Sequence, residues 1–164
     1  MSAKSDQIIK LLNELKPKVI VETGTIRNVS KEHEQGDGHS TRFIAEWVKE
    51  NGGEFISIDL KTSVCSEYLK KLGLAKYVIL IEGNSLDVLP RLGEIDFCYL
   101  DSENSPELIL NEYKLVKSKV VMIDDCIEGS QVYRKGELLI PYLRGQGINF
   151  ESLPTGQIVI RWTR

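Results

Sequence analysis

Residues Val19-Ile20-Val21-Glu22-Thr23-Gly24-Thr25 constrain this 164-residue chain most strongly. The β-branched run favours a short buried strand over a helix. A polar loop follows, and Gly36-Asp37-Gly38-His39-Ser40-Thr41 then reads as the start of a helix. Strand, glycine turn and helix N-terminus together form a ligand cradle. Glycine lets backbone N–H groups approach a ligand, and the first helical turn leaves its amide donors unpaired.

The rest of the chain alternates helices and strands around that cradle. Ile8, Leu11, Leu12 and Leu15 mark one face of a helix over Ser5–Leu15, ended by Pro17. Strand one runs from Val19 to Glu22 or Thr23. The charged loop Ile26–Gln35 is either a solvated insertion or a lid. Phe43, Ile44, Trp47 and Val48 face a second helix that ends near Asn51-Gly52-Gly53. Strands two, three, four and five are expected at Glu54–Asp59, Tyr77–Ile81, Ile95–Leu100 and Lys119–Ile123. Helical segments are expected at Ser66–Leu72, Ser85–Leu89, from Pro106 to Val116, and at Glu137–Leu143, the last weakened by Pro141. Ile148–Leu153 and Gln157–Trp162 flank Pro154-Thr155-Gly156. So short a connection makes an antiparallel hairpin, because a parallel crossover needs a dozen residues or more. The alternation predicts an α/β fold, a mostly parallel sheet with helices on both faces.

One domain is expected over residues 1–164, with an N-terminal helix in 1–16 and an inserted loop at 26–37. Hydrophobic content of 41% and charged content of 27% fit a soluble globular chain with a sizeable core. The net charge of -3 gives no bulk attraction to nucleic acid or to an anionic membrane, so neither is an expected partner. No apolar run approaches the roughly 20 residues of a spanning helix, and Met1–Asp6 lacks a signal-peptide core. Cys65, Cys98 and Cys126 show no CxxC spacing. Their odd number favours reduced thiols and a cytoplasmic location. Cys98 reads as a core residue, while Cys126 lies beside a cluster of acids and is the thiol to watch.

In such a sheet, ligands bind beyond the carboxyl ends of the strands. Glu22, Asp59, Asn84, Asp101, Asp124 and Asp125 fall there. Asp59 follows Gly38 by 21 positions. That matches the acid placed about 20 residues past a glycine turn to accept from ribose hydroxyls. The alternative is that Asp59 caps the next helix. Glu82-Gly83-Asn84-Ser85 offers a polar pair that an adenine could meet.

On these residues the chain resembles the class I S-adenosylmethionine-dependent methyltransferases over Val19–Trp162. The family's first motif resembles Glu22-Thr23-Gly24-Thr25, continued by Gly36-Asp37-Gly38 after about ten inserted residues. Its ribose acid matches Asp59, its adenine motif Gly83-Asn84-Ser85, and its fourth motif Tyr99-Leu100-Asp101. Asn84 replaces the commoner Asp and keeps a carbonyl acceptor. The resemblance implies a Rossmann-like, doubly wound, mostly parallel seven-stranded sheet with a C-terminal antiparallel hairpin. It implies S-adenosylmethionine as cofactor, held by Glu22, Thr23, Gly24, Thr25, Gly38, His39, Ser40, Thr41, Asp59, Asn84, Ser85 and Asp101.

The implied activity is methyl transfer to a small-molecule acceptor, with O-methylation favoured and Asp101 and Asp124 as catalytic residues. The ending Ile123-Asp124-Asp125 resembles a subgroup with caffeoyl-CoA O-methyltransferase-like and cephalosporin hydroxylase-like members. In that subgroup such acids hold a divalent cation, which makes Asp101, Asp124 and Asp125 candidate ligands for Mg²⁺ or a similar ion. In the family's sheet order, strands four and five lie side by side, about 4.8 Å apart. Carboxylates crowded there need compensation. A hard cation is one solution. A raised pKa, a helix N-terminus or a nearby lysine are others, and Asp101 or Ser102 could simply cap the helix that begins at Pro106.

Other readings stay open. The fold could bind a nucleoside or a partner without catalysis, or use a nicotinamide cofactor, although the terminal hairpin argues against the latter. A second copy of the chain could complete a shallow pocket. His39 suits either a cofactor contact or an exposed turn, and His33 is expected to be solvated with a proton-transfer role as the alternative. Tyr133, Arg134 and Lys135 read as a solvated charge cluster, with a substrate entrance as the alternative.

Overall fold

The computed structural model describes residues 2–30 and 39–162. Residues 31–38 lie outside the described residues, and with them Gly38, His33 and most of the inserted loop. Helix α1 (Ala3–Leu15) starts two residues earlier than its apolar face suggests. Ser2 caps it by accepting from the Ser5 amide, and the backbone of Lys16 turns left-handed to end it. Strand β1 (Val19–Thr23) follows, then α2 (Ser40–Asn51) and β2 (Glu54–Asp59). Next come α3 (Ser63–Lys71), β3 (Ile79–Glu82) and the single turn α4 (Ser85–Val88). Strand β4 (Ile95–Leu100), α5 (Pro106–Leu115) and β5 (Ser118–Ile123) complete the parallel part.

Two differences from expectation lie in this half. Helix α3 begins three residues before Ser66, and Tyr77 belongs to a 3-10 turn rather than to β3. Beyond β5 a small separate hairpin pairs β6 (Ile127–Glu128) with β7 (Gln131–Val132). Its strands are two residues each, too short for an alternation pattern to register. Helix α6 (Gly136–Gly145) runs through Pro141, whose exposed position tolerates the lost hydrogen bond. Strands β8 (Glu151–Ser152) and β9 (Ile158–Arg161) form the expected terminal hairpin, with the first strand much shorter than Ile148–Leu153.

The sheet order is β3-β2-β1-β4-β5-β9-β8, parallel except where β9 meets β5 and β8. This is the Rossmann-like seven-stranded sheet that the sequence implies. Alternate side chains of each strand enter different cores. On β4, Phe97 and Tyr99 join Ile8, Leu12, Ile44 and Trp47 on the side of α1 and α2. Cys98 and Leu100 join Ile109, Tyr113, Leu139 and Ile140 on the side of α5 and α6. The indole N–H of Trp47 donates to Asn13 at 2.8 Å and pins α1 to α2. No helix among the described residues is long and apolar enough to cross a membrane.

The order places β1 between β2 and β4, and β5 beside β4. The carboxyl ends of β1, β4 and β5 therefore open onto one rim. Helix α1 reaches the same rim with its first turn, since Lys4 there contacts residues that follow β5.

Candidate active site

The rim holds a cavity of about 520 Å³. Its walls come from the turn after β1 (Gly24–Asn28), the start of α2 (His39, Ser40) and the segment after β4 (Asp101–Asn104). Asp124 and Asp125 after β5 complete it, together with Lys4 and Lys135. Gly24 is held at φ +88, where a side chain is strained, and an added Cβ would collide with the Asp101 carbonyl. Two ladder bonds fix that close approach. The Gly24 amide donates to Ile58 O at 2.8 Å, and the Asp101 amide donates to Thr23 O at 2.9 Å.

Below the cavity floor lies a buried carboxylate. Glu22 accepts from Ser40 Oγ at 2.5 Å, Ser57 Oγ at 2.6 Å and Thr41 Oγ1 at 2.7 Å. It thus ties β1, β2 and the first turn of α2 into one knot. Complete burial pushes its carboxyl up to about 7 despite the three hydroxyl donors, with the Asp101 charge adding to the rise. Glu112 on α5 makes a second knot, accepting from Ser102 Oγ at 2.9 Å and Thr23 Oγ1 at 3.2 Å. Burial raises its pKa, opposed by the hydroxyls of Ser85, Ser102 and Thr23.

The rim carboxylates are treated differently. Asp101, Asp124 and Asp125 each offer an oxygen within 4.8 Å of the others, so the three acids do converge. Their compensation is the nearby-lysine alternative, realised twice. Lys135, 1% exposed, donates to Asp101 at 2.5 Å. Lys4 donates to Asp124 at 2.9 Å and to Asp125 at 2.7 Å. Burial pushes Asp101 up and Lys135 pulls it back, while Asp124 adds to the rise and leaves Asp101 at about 7. Asp125 is also raised by burial, but Lys4 outweighs this and holds it below the ordinary value. Burial alone would lower Lys4, and its two aspartate partners reverse that, so its ammonium keeps its proton. As arranged, these residues do not fit a divalent cation, because two ammonium groups already stand against the oxygens it would use.

Of the residues expected at the cofactor, Gly24, Thr25, His39, Ser40 and Asp101 line the cavity. Glu22, Thr23 and Thr41 lie buried beneath it as parts of the two knots. Asp59 lies outside the lining and braces the turn, its Oδ2 accepting from the Thr25 amide at 2.8 Å. It does not cap α3, whose N-cap is Thr62. Asn84 and Ser85 also lie outside the lining, and Asn84 caps α4 by accepting from the Leu86 amide. Ser105, not Asp101 or Ser102, caps α5. His39 is buried, with φ +43. Its Nε2 donates to Asn28 O at 2.8 Å, and its Nδ1 has no partner among the described residues.

Lys135 corrects the expected solvated cluster. Arg134 is exposed and lies over the half-buried Tyr133 ring, but Lys135 turns inward. The reason is Gly136. An added Cβ there would strike the Cys126 carbonyl, so only glycine lets α6 start this close to β5. The sequence signal was present in Lys135-Gly136, a lysine directly before a helix-starting glycine. Cys126 itself is buried, and burial pushes its thiol well up, so it is a packing residue. Lys4 and Glu112 carried no local motif.

Comparison with known proteins agrees with this architecture. A family model described as a methyltransferase domain matches residues 34–150. A methyltransferase from Geobacter sulfurreducens superposes with TM-score 0.68 at 15% identity, covering 97% of this chain and 78% of that one. An O-methyltransferase family protein from Burkholderia thailandensis gives TM-score 0.63 at 13% identity, with 98% and 56% covered. The present chain thus spans little more than half of that protein's length. Aeropyrum pernix fibrillarin, solved with natively bound S-adenosyl-L-methionine, gives TM-score 0.59 at 15% identity, with 97% and 73% covered. No curated protein sequence matches the chain. The family match covers most of the chain, and the strand order and terminal hairpin agree with it: the chain belongs to the methyltransferase-domain family.

Proposed function

We propose that this chain transfers a methyl group from S-adenosylmethionine to an oxygen of a small-molecule acceptor. The observation that carries the reading is the Asp101–Lys135 pair on the wall of the same cavity that the Gly24 turn lines. Bound there, the cofactor would supply a sulfonium-activated methyl group, transferred to the acceptor oxygen with the sulfur left as a neutral thioether. The chain's task is then alignment and exclusion of water, which contribute on the order of 7–11 kcal/mol at best.

The residues suit that task. The Gly24–Thr25 turn is bare backbone, and the start of α2 offers first-turn donors to the carboxylate end of the cofactor. Among the described residues Asp59 Oδ1 accepts only from the Lys61 amide, at 3.3 Å, and that oxygen is the acceptor for a ribose hydroxyl. Asn84 and Ser85 are assigned to the adenine side.

Asp101, poised at about 7, accepts the proton released by the acceptor hydroxyl. Lys135 stabilises the ionised carboxylate that must be present before attack. Asp124 acts through its charge, raising the proton affinity of Asp101. No step is routed through a divalent cation. The rim's mixed charge, in which Lys4 and Lys135 are each paired with acids, favours a hydroxylated small molecule over a nucleic acid.

Calorimetric titration with S-adenosylhomocysteine tests the cofactor assignment. Binding is expected, with at least about tenfold weakening in Asp59→Ala, equivalent to about 1.4 kcal/mol. Unchanged affinity in that variant would remove Asp59 from the ribose. Methyl turnover on a panel of hydroxylated acceptors tests the chemistry, and Asp101→Asn is expected to lower kcat by about 10²–10⁴. Cofactor binding without turnover on any acceptor would instead favour a non-catalytic nucleoside binder. The mutual satisfaction of the rim acids and lysines is the feature that suits that second reading.

A further inference from the structure

The rim acids and their lysines have a consequence that does not depend on methyl transfer. Lys4 Nζ bridges Asp124 Oδ2 and Asp125 Oδ1 at 2.9 and 2.7 Å. A hard divalent cation bound by the same two carboxylates would sit about 2.0–2.6 Å from their oxygens. The two positions overlap, so ammonium and metal cannot share the site.

The lysine is also held in place. Ser2 caps α1, Ile8, Leu11 and Leu12 bury its underside, and Asn13 accepts from Trp47. The first turn of α1 therefore arrives at β5 as part of the folded core rather than as a loose arm. A second observation points to unused coordinating capacity. Asp124 is 3% exposed, and its Oδ1 has no hydrogen-bond partner among the described residues. The single ammonium on Oδ2 leaves that buried oxygen's coordinating capacity unused. Asp125, at φ +49, carries backbone strain at the same point.

We propose that Lys4 is a built-in counter-ion that takes the place of a divalent cation between Asp124 and Asp125. It makes this acidic cluster independent of metal. Removing its charge opens the facing oxygens of Asp124 and Asp125 to a divalent cation, while Asp101 stays paired with Lys135.

The test is Mn²⁺ titration of the full chain, read from the electron paramagnetic resonance signal of free Mn²⁺. Wild type and Lys4→Arg are expected to leave that signal unchanged. Lys4→Met is expected to take up Mn²⁺ at least about tenfold more tightly, and adding Asp124→Asn to it should abolish the gain. Wild-type uptake as tight as that of Lys4→Met would overturn the proposal, and so would a folded Lys4→Met that gains nothing. If Lys4→Met fails to fold, thermal denaturation of the wild type with and without Mn²⁺ decides. An unchanged midpoint is expected, and a rise that Asp124→Asn abolishes would overturn the proposal.

Discussion

Two groups of acids lie at the ends of adjacent strands and are kept in opposite ways. Glu22, in the floor, is surrounded by hydroxyls of Ser40, Thr41 and Ser57. Asp101, Asp124 and Asp125, at the rim, are matched by the ammonium groups of Lys135 and Lys4. Neutral donors satisfy hydrogen-bonding capacity but leave the charge uncompensated, so a buried acid held only by them climbs toward neutrality. Cationic donors compensate the charge itself and make the geometry depend on both partners remaining. The floor thus joins three elements without a counter-ion, while the rim keeps charge available at the cavity wall.

The largest test of this contrast is Lys135→Met. It removes one partner of a buried pair while keeping volume, and a loss of about 3–5 kcal/mol is expected from urea melts. The loss should grow with pH as the unpaired Asp101 ionises, and a pH-independent loss would mean that Lys135 acts mainly by packing.

Glu22→Gln comes next. The folded carboxyl ionises at about 7 against an ordinary 4.5, so the folded state keeps a proton that the unfolded state has already lost. Stability must therefore fall as pH rises from 4.5 to 7 and stay low above it. Glutamine removes that slope, and relative to wild type the variant should gain about 3 kcal/mol between pH 4 and pH 8. A parallel pair of stability–pH curves would contradict the buried-acid account.

Ser40→Ala deletes one donor to Glu22 and is expected to cost about 2 kcal/mol above pH 7, with less effect below pH 5. The smallest change is Lys4→Met. Lys4 has a side chain 27% exposed, so the loss is about 1 kcal/mol and should shrink further with added salt.

Most of the fold could be read from the residues because strands β1, β2, β4 and β5 are short, β-branched or apolar runs bounded by turns. The short link around Pro154 to Gly156, five residues between the strands as folded, left β8 and β9 no option but to pair antiparallel. The separate hairpin β6–β7 escaped because two-residue strands have no period. At the site, the convergence of Asp101, Asp124 and Asp125 followed from strand order alone. What neutralises them did not, because Lys4 lies 120 positions from Asp124 and Lys135 lies 34 from Asp101. A lysine is read as solvated unless a neighbour such as Gly136 draws its backbone against the sheet. Glu22 was read as a cofactor residue by its place in the motif. Its satisfaction by Ser57 depends on the Glu22–Ser57 register between β1 and β2, which no local pattern displays.

The contact between Gly24 and the Asp101 carbonyl fixes a length. The turn assigned to the cofactor and the aspartate assigned to the acceptor touch through backbone atoms, with ladder bonds on either side. Donor and acceptor seats therefore share one rigid ruler, and evolution of new acceptors in this scaffold would have to proceed by reshaping the far wall rather than by sliding the two seats apart.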